Sequence, residues 1–166
     1  MATAGNQRGK EKSSTSPLAR YLYPPIRDDA HIRLARLFPL TEADGPRENR
    51  KAVSSPVVIE MVQAPLTEAP RYQAVSYTWG TSAEPMQLSV RDEGFIPVSK
   101  TAFDILQSLR PEVGHEPSYC WMDQICINQQ DDGERWQQIR IMRKIYEKAH
   151  CTLVVLAGNE NYDEIL

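Results

Sequence analysis

The chain is predicted to fold as an α/β domain: a parallel sheet with helices on its faces, to which an N-terminal strand pair and a hairpin are added. The strongest indication is the stretch Ser118 to Gly158, which reads strand, loop, long helix, strand. Apolar Tyr119 to Met122 ends in Asp123, turn-forming Asn128 to Gly133 follows, and a charged periodic segment leads to a second apolar run from Leu153 to Ala157. Such alternation marks a βαβ unit with parallel strands. An earlier strand at Tyr72 to Tyr77 and a helix opening after Ser99 extend the pattern upstream. Right-handed crossovers then place the helices on the faces of one sheet.

Taken in order, residues 1–19 are rich in Gly, Ser, Thr, Lys and Glu with almost no large apolar side chain, so they are expected to form a disordered tail. Residues 20–166 form the folded domain. Tyr21 to Pro25 is extended, because each proline fixes its own φ and drives the preceding residue out of the helical region. His31 to Leu37 sets Ile32, Leu34 and Leu37 against Arg33 and Arg36, the pattern of a half-buried strand. A loop spans residues 41–55. Val57 to Val62 is a β-branched run suited to pair with that first strand, and the bracketing Pro56 and Pro65 favour an edge position. Met86 to Val98 reads as a hairpin turning at Asp92, Glu93 and Gly94. Ser99 is a good N-cap for a helix over Lys100 to Arg110, with Ala102, Phe103, Leu106 and Leu109 on its apolar face; Pro111 and Gly114 stop it.

The long helix should begin at Asp131, which with Glu134 forms a D-x-x-E capping box, the Asp accepting from a free N–H and the Glu reaching back. Trp136, Ile139, Met142, Ile145, Tyr146 and Ala149 then recur every three or four residues as one apolar stripe against the sheet. Arg140, Arg143, Lys144 and Lys148 face water.

Composition narrows the function. With 41% hydrophobic and 25% charged residues the chain can bury a core. A net charge of −3 without a basic cluster interleaved with aromatics excludes a nucleic-acid footprint. No 18-residue apolar run and no apolar stretch near the N-terminus stand in the sequence, so neither membrane span nor signal peptide is expected, and the location expected is cytoplasmic. Cys120, Cys126 and Cys151 are expected as reduced, buried thiols. With His115 and His150 they match no standard zinc spacing, so no metal is expected. His150 is read as a cation at the helix end. The glycines are isolated, leaving no phosphate-cradling loop and no implied cofactor.

Two stretches make the chain similar to a known family. WMDQICINQQDDGERWQQIRIMRKIYEKA, from Trp121, resembles the central motif of the fungal heterokaryon-incompatibility (HET) domain, in which Trp/Ile-Asp, Cys-Ile-Asn-Gln, Asp, Glu, Gln, Met and Ile-Tyr stand at this spacing. YQAVSYTWG, from Tyr72, resembles the family's Tyr-x-Ala-Leu-Ser-Tyr-x-Trp-Gly. The lead-in from Tyr21 and the segment from Val98 to Arg110 are similar as well. The resemblance implies a part in self/non-self discrimination between fusing hyphae and in the cell death that follows incompatible fusion. It implies other incompatibility proteins or copies of the same chain as partners. Through a distant likeness to Toll/interleukin-receptor (TIR) domains it also implies a flavodoxin-like sheet. The family's later Arg-x-Trp-x-x-Gln-Glu motif, where a TIR-type catalytic glutamate would be sought, does not occur in these 166 residues. The sequence is therefore read as the N-terminal part of the domain.

The candidate site follows from topology. In an open α/β sheet, ligand crevices lie outside the carboxyl ends of the strands, and both motifs leave strands there. The residues concerned are Ser76, Tyr77, Trp79 and Gly80 in the first motif and Asp123, Cys126, Asn128, Gln129 and Glu134 in the second. If the two strands are neighbours, Trp79, Asp123, Asn128 and Gln129 converge. They then either form a pocket, with Asp123 and the amides hydrogen-bonding and Trp79 stacking, or serve the loops, with Asp123 and Asn128 holding backbone groups and Trp79 packed beneath. Cys126 lacks a nearby base in sequence, and Glu134 is accounted for as a cap, so no catalytic residue is assigned. Three functions stay open: a non-catalytic signalling module acting by association, a TIR-like nucleotide hydrolase whose catalytic part is missing, and an inactive remnant.

Overall fold

The computed structural model describes residues 19–42, 56–79 and 85–156. Gly80, the N-terminal tail up to residue 18, most of the 41–55 loop and residues 157–166 lie outside these.

In chain order the elements are β1 (His31–Leu37), β2 (Val58–Pro65), β3 (Gln73–Tyr77), β4 (Met86–Val90), β5 (Gly94–Val98), α1 (Lys100–Leu109), β6 (Ser118–Met122), a short α2 (Asp123–Cys126), α3 (Asp132–Lys148) and β7 (Cys151–Val155). The strands form one sheet in the order β5-β4-β2-β1-β6-β3-β7.

The sheet is mixed. The expected parallel unit is present as β6, β3 and β7, with Val75 opposite both Met122 and Leu153. Because β3 lies between β6 and β7, α3 crosses over it. The other half departs from a flavodoxin-like parallel sheet: β1 is antiparallel to both β2 and β6, β4 is antiparallel to β5, and only β2 and β4 are parallel. β2 pairs with β1 as expected but is no edge strand; β4 covers its other side at Val58 and Ile59, and Pro65 stands at its last position.

Two apolar layers flank the sheet. On one side α1 brings Ala102, Ile105 and Leu106 onto Leu37, Ile59, Val75, Leu88 and Met122, with Phe103 and Leu109 partly buried against them. Ser99 caps this helix, its side chain accepting from the Ala102 N–H at 3.1 Å. On the other side Ile145 of α3 sits among Ile32, Leu34, Tyr72, Ala74 and Trp121, with Ile141, Met142, Tyr146 and Ala149 packed alongside. Trp121 and Tyr146 meet edge to face at 5.5 Å.

β1 is therefore covered on both faces, and the half-buried reading fails: Arg33 is 1% exposed. The predicted stripe on α3 is also rotated. Trp136 and Ile139 are 63% and 43% exposed, while Glu134 and Gln138 are buried in their place. The reason is polar rather than apolar: Glu134 meets Arg33, and Gln138 Nε2 donates to His31 O at 3.0 Å. Those two bonds set the rotation of the helix's first half. Arg140, Arg143, Lys144 and Lys148 are exposed as expected.

Gly94 explains one turn. Its φ of +115° is open to glycine, and a Cβ there would lie 2.2 Å from Ala19 O. Asp92, with φ of 57°, completes the turn between β4 and β5.

Candidate functional site

β3 and β6 run parallel as neighbours, so the two motifs leave the sheet side by side. The centre of the cluster is Asp123, the first residue after β6. Its Oδ1 accepts from Trp79 Nε1 at 3.0 Å and from the Gln124 N–H at 2.7 Å, and its backbone carbonyl accepts from Gln129 Nε2 at 2.8 Å. The expected convergence holds for Trp79, Asp123 and Gln129. Asn128 turns away: its Oδ1 accepts from the Gln130 N–H at 3.2 Å, holding its own loop. Trp79 is neither buried under the loop nor fully free; its indole N–H is engaged while the residue stays 38% exposed.

Burial holds the Asp123 carboxyl above the ordinary carboxylate range, and the bonds from Trp79 and Gln124 pull it partly back. Two phenols flank it. Tyr77 and Tyr146 are both pushed up, by burial first and by the Asp123 charge second. Both remain protonated donors at neutral pH: Tyr77 Oη donates to Gln124 Oε1 at 2.5 Å and Tyr146 Oη to Val75 O at 3.3 Å. Ser76 lies within hydrogen-bonding reach of Tyr146. Gln124 Oε1 also accepts from the Ser99 N–H and Oγ–H at 3.4 Å. One amide thereby ties the first motif, the second motif and the start of α1 together.

Beneath this cluster lies a second constellation. Glu134 was expected to cap its own helix, and half of the box is present: Asp131 accepts from the Glu134 N–H at 3.0 Å. The Glu134 carboxylate, however, does not return to Asp131. It accepts from Arg33 through both oxygens, with Nη2 to Oε2 at 2.9 Å, and from the Asn128 N–H at 2.7 Å. Arg33 also reaches the carbonyls of Pro24 and Cys126. Tyr23, under the guanidinium at 5.1 Å, donates to Ile125 O at 2.9 Å. A buried ion pair needs such additional hydrogen bonds to offset its desolvation. Arg33, Tyr23, Gln124 and Tyr146 are absent from the sequence-based site. The available signal was Arg33 between the apolar Ile32 and Leu34 of a strand, a cation that must find a partner if both faces of the strand are covered.

Cys120 and Cys126 are buried and Cys151 is exposed, which corrects the expectation for the third thiol. Burial pushes Cys126 up to about 12 and Cys120 well above the usual thiol value. Cys126 Sγ accepts from the Met122 N–H at 3.5 Å and faces Cys120 O at 3.8 Å. It is a packing group, with no thiolate available as nucleophile. His150 Nε2 faces the guanidinium of Arg71 across the start of β7. Among the described residues no three of His, Cys, Asp and Glu are placed to hold a metal ion, and no helix is long and apolar enough to cross a membrane.

A depression of about 350 Å³ runs along α3, lined by Asp29, Trp136, Arg140 and Lys144 among others, away from Asp123. The Asp123 cluster is a surface of interlocked hydrogen bonds with an indole at its rim.

Comparison with known proteins agrees with the two motifs. The family model for the heterokaryon incompatibility protein (HET) matches residues 72–166. The chain is 40% identical over 103 residues to heterokaryon incompatibility protein 6, OR allele, of Neurospora crassa; the match covers 56% of this chain and 15% of that protein. The chain thus spans a small part of the length of this curated relative. No solved structure matches it. With more than half of its 166 residues matched, including both strand-end motifs and the helix between β6 and β7, the chain belongs to the heterokaryon incompatibility (HET) family.

Proposed function

We propose that this chain is a cytoplasmic association module of fungal incompatibility signalling, contributing to non-self recognition and to the cell death that follows fusion of unlike hyphae. Its partners are other incompatibility proteins or further copies of itself. The observation that carries the reading is the form of the Asp123 cluster within a HET-family chain. Its polar groups are largely engaged with one another, and Trp79 is presented at the rim, as suits a surface for protein contact more than a substrate cleft. Inducible expression in a filamentous fungus tests it. Loss of viability that is abolished by Trp79→Ala, with the protein still accumulating, is the expected outcome; full viability at high expression of the unaltered chain counts against the reading.

A second reading, a TIR-like hydrolase of a nicotinamide dinucleotide, is favoured by one feature. Asp123 is a carboxyl held above its ordinary range at the carboxyl ends of parallel strands, where a general acid is useful. Nicotinamide release by the purified chain, lost in Asp123→Ala at an unchanged melting temperature, would decide for it.

A further inference from the structure

On the outer side of α3 the sequence sets a stripe that the fold itself does not use. Trp136, Arg140, Lys144 and Lys148 recur every four residues, so they lie one above another on one face of the helix. Successive cations at that spacing repel one another and destabilise a helix. Elsewhere the same helix neutralises its cations: Arg135 pairs with Asp132 at 2.9 Å and Arg143 with Glu147 at 2.7 Å. Arg140 and Lys144 are exposed and have no carboxylate partner among the described residues.

This stripe borders a concavity. Trp136, Arg140 and Lys144 line the depression of about 350 Å³ on α3, together with Gly133 and Ile141. Gly133, one turn before Trp136, contributes no side chain, and half-buried Ile141 gives the depression an apolar wall. Asp29, the one carboxylate of the lining, pairs with neither cation. The turn that carries it is held against the first half of the helix by the bond from Gln138 to His31 O. Trp136 is 63% exposed, against 38% for Trp79, and Trp121 is wholly buried. Tryptophan and arginine are the side chains on which protein contacts most often depend.

Charge and dimensions select the occupant. Two unpaired cations call for carboxylates, and the indole calls for an apolar side chain. Successive members of the stripe stand about 6 Å apart along the helix axis, and alternate residues of an extended chain stand about 6.6 Å apart. A polyanionic surface fits less well, because the whole chain carries a net charge of −3 and the cations of the stripe form a single row. We propose that this stripe is a docking strip for an acidic segment of a partner protein. The segment lies extended along α3, with an apolar side chain in the depression against Trp136 and Ile141 and with carboxylates at alternate positions on Arg140 and Lys144. The strip is separate from the Asp123 cluster and takes only its biological setting from the association reading.

The test uses the purified 166-residue chain and the synthetic peptide Glu-Ser-Glu-Ser-Leu-Ser-Glu-Ser-Glu, which offers the same spacing in either chain direction. Titration followed by NMR is expected to give saturable shifts in the amide signals of residues 133–144 and in the Trp136 indole N–H. The counterpart with Lys in place of every Glu should leave those signals unmoved. Arg140→Gln is expected to weaken binding about fivefold or more and Trp136→Ala about tenfold. Arg143→Gln, which removes one charge from the same helix outside the lining, leaves the affinity unchanged. Circular dichroism establishes that the three variants are folded. Signals that stay still at millimolar peptide, equal response to the two peptides, or equal weakening by Arg140→Gln and Arg143→Gln would overturn the proposal. So would shifts of residues 133–144 produced by phosphatidylserine vesicles or by a nucleoside diphosphate but not by the acidic peptide. Peptide binding in a chain that causes no loss of viability leaves the strip standing and removes the incompatibility reading. Viability loss from a chain that does not bind the peptide does the reverse.

Discussion

At the scale of single residues, the chain depends on a charge pair that no local pattern announces. Arg33 and Glu134, with side chains 1% and 6% exposed, are 101 positions apart. Glu134→Ala strands the buried guanidinium and leaves the Asn128 N–H without its acceptor, so a stability loss of about 3–5 kcal/mol is expected in chemical denaturation. Glu134→Gln, which keeps an acceptor for Asn128 but not the charge, should fall between that variant and the unaltered chain. A loss below about 1 kcal/mol for Glu134→Ala would show that the pair is dispensable. Asp123 gives a pH signature of known sign. Burial raises its folded carboxyl above the ordinary value of 3.8, so the folded chain holds this proton at pH values where the unfolded chain has released it. The stability it contributes is complete below 3.8 and is lost as pH rises through the folded value. Relative to Asp123→Asn, whose amide oxygen still accepts from Trp79, the unaltered chain should lose melting temperature between pH 3.5 and neutrality. A difference independent of pH would contradict the burial of this group.

At the scale of elements, α3 shows how a polar anchor overrides an apolar stripe. Spacing alone puts Ile139 with Ile145, but Glu134 and Gln138 claim the inward face of the first two turns, and the stripe packs on the sheet only from Met142 onward, with Ile145 fully buried and Met142, Tyr146 and Ala149 partly so. Ile145→Asp is expected to cost about 3 kcal/mol or more, since it buries a charge between Trp121 and Tyr72. Ile139→Asp, on a residue 43% exposed, should cost less than about 1 kcal/mol. Unfolding midpoints for the pair measure this directly, and the opposite ranking would restore the periodic reading. Elements set by local chemistry agree with their sequence signals. Ser99 caps α1, Asp131 caps α3, and the β4–β5 turn falls at Asp92 to Gly94.

Across the whole molecule, β1 and β6 lie at the centre of the pairing order and carry cover from both layers, while β5 and β7 lie at its ends. Opening free energies should follow that order. Native-state amide exchange in the monomer is expected to be slowest in Ile32 to Leu37 and Cys120 to Met122 and fastest in β7. Uniform protection across the sheet would mean that the edges are not independently labile.

By itself the sequence determined what short-range chemistry controls. It carried the strands and their βαβ order, the caps and turns, the adjacency that brings Trp79 to Asp123, and the two motifs that place the chain in its family. Tertiary structure decided the rest. The mixed sheet follows from which edges β1 and β2 pair with, a choice between distant backbones that strand composition does not encode. The inward turn of Glu134, the three-way bond at Gln124 and the exposure of Cys151 depend on partners up to about a hundred positions away. A side chain's periodicity states which face it shares; whether that face is buried is set by what the rest of the chain lays upon it.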